Sequence, residues 1–125
     1  MIVGVGLDIA EIDRIEAAIQ RHGLHFLERV FTPAEIAYCQ SHRHSAERFA
    51  ARFAAKEAAM KALGTGWRGG VRWLDIEVVR EASGKPGLRL TGQAAKSAEA
   101  LGARNIVVSI THSGKTALAE VIFES

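Results

Sequence analysis

At 125 residues, 48% of them hydrophobic, the chain is sized for one compact domain (residues 1–125) with a modest core, since two domains would each be very small. Sixteen Lys and Arg against fourteen Asp and Glu leave a net charge of +2, too little to argue for nucleic-acid binding, so an acidic partner must be met by a local patch. Cys39 is alone, which excludes an internal disulfide, and no Cys/His zinc spacing is present, so a reducing, cytoplasmic setting is expected. The opening MIVGVGLDIAEIDRIE lacks a basic flank and reaches Asp8 too soon for the apolar core of a signal peptide, and no apolar run approaches membrane-spanning length. Ile2 to Leu7, β-branched and broken by Gly4 and Gly6, predicts a strand that allows close backbone approach. Asp8 is expected to end it, either as the N-cap of the next helix or as a ligand-binding group at a strand exit. GVGLD lacks the third glycine of a dinucleotide fingerprint, which excludes a Rossmann site.

A helix is predicted from about Ile9 to His22, with Ile12, Ile15 and Ile19 on one face, Arg14 and Arg21 on another, and Gly23 as its stop. Leu24 to Phe31 reads as a short apolar helical turn. Thr32-Pro33-Ala34-Glu35 reads as a capping box that starts a brief helix to about Gln40. Ser41-His42-Arg43-His44 is then a polar connection, either a plain exposed loop or a phosphate contact.

The stretch RFAARFAAKEAAMKALGTG, Arg48 to Gly66, predicts the long central helix of about five turns, built of strong helix formers. Ser45 offers an N-cap, and Gly64 and Gly66 offer left-handed stops. Phe49, Phe53, Glu57 and Lys61, four residues apart, form one row that carries two aromatics into a carboxylate and an ammonium. Glu57 and Lys61 are open to two readings: an ordinary ion pair on a solvated face, or a carboxylate at an apolar rim that needs Lys61 or a metal ion as partner.

Beyond the helix, GTGWRGG lacks the ending of a Walker A loop. Leu74 to Arg80 and Leu88 to Leu90 are predicted strands of a hairpin around Ser83-Gly84-Lys85-Pro86-Gly87, and Thr91 to Leu101 a small helix stopped by Gly102. Asn105 to His112 and Thr116 to Phe123 form a second hairpin, whose first strand puts Ile106, Val108, Ile110 and His112 on one face. His112 is either a satisfied turn residue or a phosphate or proton contact. The whole predicts an α+β fold, a mainly antiparallel sheet packed with the central helix.

Asp8 after the first strand, RFAAKEAAMKALGTG, the GKP turn and SITHSGKTALA together resemble the short form of the 4′-phosphopantetheinyl transferase family from end to end. The resemblance implies transfer of 4′-phosphopantetheine from coenzyme A to a serine of an apo acyl carrier protein, for fatty acid biosynthesis, with release of adenosine 3′,5′-bisphosphate. It implies Asp8 and Glu57 as Mg²⁺ ligands; Lys61, one turn beyond Glu57, is then expected to stabilise charge on the leaving bisphosphate. The base is Glu57 or a metal-bound water, which the sequence does not separate. Arg52, Arg43 or His44, and His112 are implied around the 3′-phosphate, with Gly64 and the Gly84-Lys85-Pro86 turn near the nucleotide. Homotrimers with sites between subunits are implied as well. Arg14 and Arg21 would then dock the acidic carrier protein. Two rival readings are a coenzyme A-binding module without catalysis, and transfer to peptide-synthetase or polyketide carrier domains.

Overall fold

The computed structural model describes residues 1–64 and 68–125. In chain order these form β1 (Ile2–Glu11), α1 (Ile12–His22), α2 (Leu24–Val30), α3 (Pro33–Gln40), α4 (Ser45–Leu63), 3₁₀ turns at Arg68–Gly70 and Trp73–Asp75, β2 (Ile76–Arg80), β3 (Pro86–Leu90), α5 (Gly92–Ala100), β4 (Asn105–Ser113) and β5 (Thr116–Glu124). β5 lies between β1 and β4 in one antiparallel sheet, and β2 and β3 form a separate antiparallel hairpin. The fold is α+β with a long central helix, as the sequence predicts.

α4 is the element on which the rest packs. Its Ala54, Ala55, Ala58 and Ala59 are fully buried, and they face a sheet surface of Ala117, Ala119, Val121 and Phe123. Small side chains on both surfaces let helix and sheet backbones come close. Gly4 and Gly6 take this furthest: a Cβ on Gly6 would stand 1.7 Å from the Ala58 carbonyl oxygen, and one on Gly4 2.4 Å from that of Ala62. At the other end of α4, Phe49 packs on Phe31 with ring centroids 5.0 Å apart, and burying each contributes about 1.5–3 kcal/mol. The row Phe49, Phe53, Glu57, Lys61 therefore runs from core to solvent, as its spacing predicts.

Several boundaries differ from expectation. β1 does not stop at Asp8 but runs to Glu11, with Asp8 opposite Ala119 and Ile9 opposite Leu118. Asp8 is thus a mid-strand residue and caps no helix. α1 begins where the spacing of Ile12, Ile15 and Ile19 begins, and the amide of Ile12 is bonded by the Lys115 carbonyl. Ser45 is the first helical residue of α4 rather than its cap, and the His44 side chain in the cap position does not cap the helix. Gly64 does end α4 in the left-handed conformation, at φ 77°. Gly66 lies outside the described residues. The Thr32–Glu35 capping box is complete. β2 starts at Ile76 rather than Leu74 because Asp75 accepts from the Arg72 amide and holds a turn there. β3 starts at Pro86, two residues earlier than predicted, paired with Arg80.

Two charged clusters join α3 to the hairpin. Lys56 and Glu35 are both wholly buried, with Nζ 2.6 Å from Oε1. Lys56 Nζ also donates to the carbonyls of Val30, Ile76 and Trp73 at 2.9, 2.7 and 3.2 Å. Burial pushes its pKa below the usual lysine value, against the pull of Glu35. Removing one partner of such a pair costs about 3–5 kcal/mol, because a buried charge is left alone. Nearby, burial would raise the Glu77 carboxyl, but hydrogen bonds from Thr32 and Arg89 outweigh it and hold the pKa low.

Candidate active site

Asp8 and Glu57 meet because β1 crosses α4 at backbone distance. Glu57 lies one residue before Ala58, the helix residue that Gly6 touches, and Asp8 is the next residue along β1 whose side chain faces the same way as Gly6. Both carboxylates line a cleft of about 580 Å³, together with Arg14, Ile15, Phe26 and Phe53. Phe53 stacks on Trp73, with centroids 5.0 Å apart, so the wall beside Glu57 is apolar and stiff.

Lys61 does not pair with Glu57, one turn away on its own helix. Its Nζ reaches across to Asp8 Oδ1 at 2.9 Å and to the Leu7 carbonyl at 3.0 Å. The reason is the crossing strand, which offers two acceptors within the reach of one ammonium. Glu57 is left without an ion pair among the described residues, so the solvated-pair reading of Glu57 and Lys61 is corrected. Burial, and then the charge of Asp8, raise the Glu57 carboxyl above its ordinary pKa, while Lys61 pulls the other way.

Among the described residues no group of three or more Asp, Glu, His or Cys side chains gathers around one point. Asp8 and Glu57 offer two hard oxygen ligands beside open space, and Glu11 lines the same cleft without joining them in a cluster. That donor set fits Mg²⁺, which is ordinarily held by one or two carboxylates with substrate phosphates and water rather than by a closed protein cage. An under-compensated pair of carboxylates is also the electrostatic situation that a divalent cation relieves.

A second concavity, of about 260 Å³, lies on another side of α4. It is lined by Tyr38, Arg48, Arg52, Arg80, Pro86 and His112 among others. Arg52 is 7% exposed, and its Nε is buried with no hydrogen-bond partner among the described residues. Its guanidinium carbon sits 4.1 Å above the Tyr38 ring, Arg80 lies 5.2 Å from the same ring and donates to the Tyr38 hydroxyl, and His42 packs against Tyr38 with centroids 4.4 Å apart. A buried, incompletely bonded guanidinium among other cations is a site for an anion.

The predicted residues therefore fall into separate groups. Asp8, Glu57, Lys61 and Arg14 come together, and so do Arg52, Gly84, Pro86 and His112. Arg43 and His44 line a smaller neighbouring recess of about 240 Å³, which shares Glu47 with the cationic pocket. Gly64, at the far end of α4, is about 18 Å along the helix axis from Arg52. Among the described residues none lines both the acidic cleft and the cationic pocket. Arg52 and Glu57, five residues apart, point about 140° from one another around the helix. Arg21 is exposed in the last turn of α1, outside the cleft that Arg14 lines.

Sequence reasoning passed over Arg48, Tyr38, Arg80 and Lys56. Arg48 carries a readable signal, since it precedes Arg52 by four residues and shares its face. Tyr38 and Arg80 carry none, because they meet only through the packing of α3 on the hairpin.

Residues 4–111 match the sequence profile of the 4′-phosphopantetheinyl transferase superfamily. The chain is 56% identical over 125 residues to a holo-[acyl-carrier-protein] synthase of Solibacter usitatus, with all of both chains covered. It superposes on the crystal structure of holo-[acyl-carrier-protein] synthase from Neisseria meningitidis with a TM-score of 0.91 at 35% identity, again over the whole of both chains. The Helicobacter pylori enzyme, solved in complex with coenzyme A, gives a TM-score of 0.84 at 31% identity over 96% of this chain and 99% of that one. Sequence and fold agree: the chain belongs to the 4′-phosphopantetheinyl transferase superfamily and is an enzyme of the holo-[acyl-carrier-protein] synthase kind.

Proposed function

We propose that this single domain of residues 1–125 transfers 4′-phosphopantetheine from coenzyme A to a serine of an apo acyl carrier protein, with Mg²⁺, in the cytoplasm and for fatty acid biosynthesis. The observation that carries the reading is the convergence of Asp8, Glu57 and Lys61 from β1 and α4 beside an open cleft. In the reaction the serine oxygen bonds to the phosphorus that bears pantetheine, the phosphoanhydride P–O bond breaks, and adenosine 3′,5′-bisphosphate leaves. Asp8 and Glu57 would hold a Mg²⁺, which when bound would neutralise charge on the pyrophosphate. Lys61 stands beside Asp8, where its ammonium meets the charge that grows on the leaving group. Glu57, or a metal-bound water oriented by Asp8 or Glu57, takes the serine proton. The cationic pocket of Arg48, Arg52, Arg80 and His112 holds the phosphorylated nucleotide end, and the Gly84–Pro86 turn forms its lip.

The two half-sites lie on different sides of α4, and a working site brings the acidic cleft of one copy to the cationic pocket of the next. We assign this to a homotrimer. The sheet face turned away from α4 supports it, since Val5, Leu7 and Ile9 of β1 are 53%, 52% and 62% exposed in a continuous apolar row. Leu7→Glu is expected to shift the protein to monomer in size-exclusion chromatography with light scattering and to cut turnover about a hundredfold or more, because the half-sites separate. A trimer that survives Leu7→Glu with full activity would remove β1 from the interface.

Arg14 lines the acidic cleft and Arg21 extends the basic row of α1, which gives an acidic carrier protein a path to Glu57. Reversing both to Glu is expected to raise KM for the carrier protein about tenfold or more and to leave KM for coenzyme A nearly unchanged. Equal effects on both constants would count against a docking surface. The reaction itself is tested by chromatography of the nucleotide products. Adenosine 3′,5′-bisphosphate should appear only when apo carrier protein and Mg²⁺ are both present, whereas a protein that merely binds coenzyme A releases none. Running fatty-acid, polyketide and peptide-synthetase carriers side by side separates the partner classes.

A further inference from the structure

The Lys56–Glu35 pair lies outside both half-sites and takes no part in the transfer described above. It nevertheless ties together α3, α4 and the β2–β3 hairpin, three of the elements that wall the cationic pocket, the other being β4 with His112. Tyr38 comes from α3, Arg48 and Arg52 from α4, Arg80 and Pro86 from the β2–β3 hairpin. Pairing within the hairpin sets neither its distance from α4 nor its angle to α3. Lys56 is one turn beyond Arg52 on the same face of α4. Its ammonium bonds the last residue of α2 through the Val30 carbonyl, the 3₁₀ turn through that of Trp73, the first residue of β2 through that of Ile76, and α3 through Glu35. Glu35 Oε2 in turn accepts from the Val78 amide at 2.8 Å, two residues before Arg80 on the same strand. Tyr38 follows Glu35 by three residues, on the next turn of α3. One buried group thus stands within a turn of helix, or a few residues of strand, of Arg52, Tyr38 and Arg80 together. Asp8 is set against Glu57 differently, by the Gly4 and Gly6 contacts between β1 and α4, and Lys56 reaches the acidic cleft only through the Trp73 carbonyl behind the Phe53 wall.

We propose that Lys56 is a positioning residue for coenzyme A recognition: its buried ammonium fixes α3 and the β2–β3 hairpin against α4 and so places Tyr38 and Arg80 around Arg52. The inference rests on reading the cationic pocket as the coenzyme A site. Two variants test it, Lys56→Arg, which keeps a charge beside Glu35 but cannot reach the same carbonyls, and Lys56→Met/Glu35→Gln, which leaves no charge buried alone. Calorimetry with coenzyme A and with adenosine 3′,5′-bisphosphate, run at a temperature where circular dichroism shows each variant folded, gives Kd, and steady-state kinetics give KM and kcat. Kd for both ligands and KM for coenzyme A are expected to rise about tenfold or more, with kcat at saturation and KM for the carrier protein within about threefold of wild type. A residue that only stabilises the fold would lower the melting midpoint and the active fraction and leave Kd of the folded molecules unchanged, and that result overturns the proposal. Wild-type protein that binds neither ligand would instead overturn the coenzyme A reading, whatever Lys56 does.

Discussion

Replacing Glu57 by Gln is expected to lower turnover by about two to three orders of magnitude while leaving the affinity for coenzyme A within about threefold. Gln keeps the size and the helix propensity of Glu but removes the charge that a cation needs and the basicity that a serine proton needs. Coenzyme A binding is spared because Arg48, Arg52, Arg80 and His112 lie in the other pocket. The same substitution has a second, opposite effect on stability. Burial first, and the charge of Asp8 next, hold the Glu57 carboxyl above its ordinary pKa, so the folded protein binds this proton more tightly than the unfolded chain does. Stability of the cation-free protein therefore falls as pH rises from the ordinary glutamate value through the raised one, and Gln removes that slope. Thermal midpoints measured against pH in the presence of a chelator check this: wild type should lose stability across the window and Glu57→Gln should not. Mg²⁺ affinity should weaken in the opposite direction, as pH falls through the same window and protons compete for the carboxylate.

Gly6→Ala is the substitution expected to damage the fold most for its size. The added methyl would stand 1.7 Å from the Ala58 carbonyl oxygen and 2.9 Å from the Ala62 nitrogen, all of it helix backbone with no side chain to swing aside. Strand and helix must part, which costs about 3 kcal/mol or more and lowers the melting midpoint by on the order of 10 °C. Turnover should fall as well, since the same contact sets Asp8 against Glu57. An unchanged midpoint in differential scanning calorimetry would mean that β1 does not lie against α4 as described.

What the sequence showed and what it hid divide along the range of the interaction. α4 was legible because its residues are strong helix formers and Gly64 marks its end, and α3 because Thr32 and Glu35 cap it within four residues. Asp8 misled. A carboxylate on the inner face of a strand breaks the apolar alternation, so the strand seemed to stop there, whereas the ladder to β5 carries it on to Glu11. The partner of Lys61 was misjudged for the same reason: the spacing offers Glu57, but the strand lying across the helix offers Asp8. Lys56 reads in sequence as one more solvated helical lysine. Its burial depends on carbonyls from Val30, Trp73 and Ile76, and nothing local announces them. The two-pocket layout had one local clue, the five-residue step from Arg52 to Glu57, which turns them to different faces of α4.

The measurement that tests the central claim most directly is the intact mass of an apo acyl carrier protein after incubation with this protein, coenzyme A and Mg²⁺. A gain of one phosphopantetheine unit is predicted, abolished by a chelator and slowed about a hundredfold or more by Glu57→Gln. Carrier protein that keeps its apo mass, while calorimetry shows coenzyme A bound, would contradict the account and leave a binding module in its place.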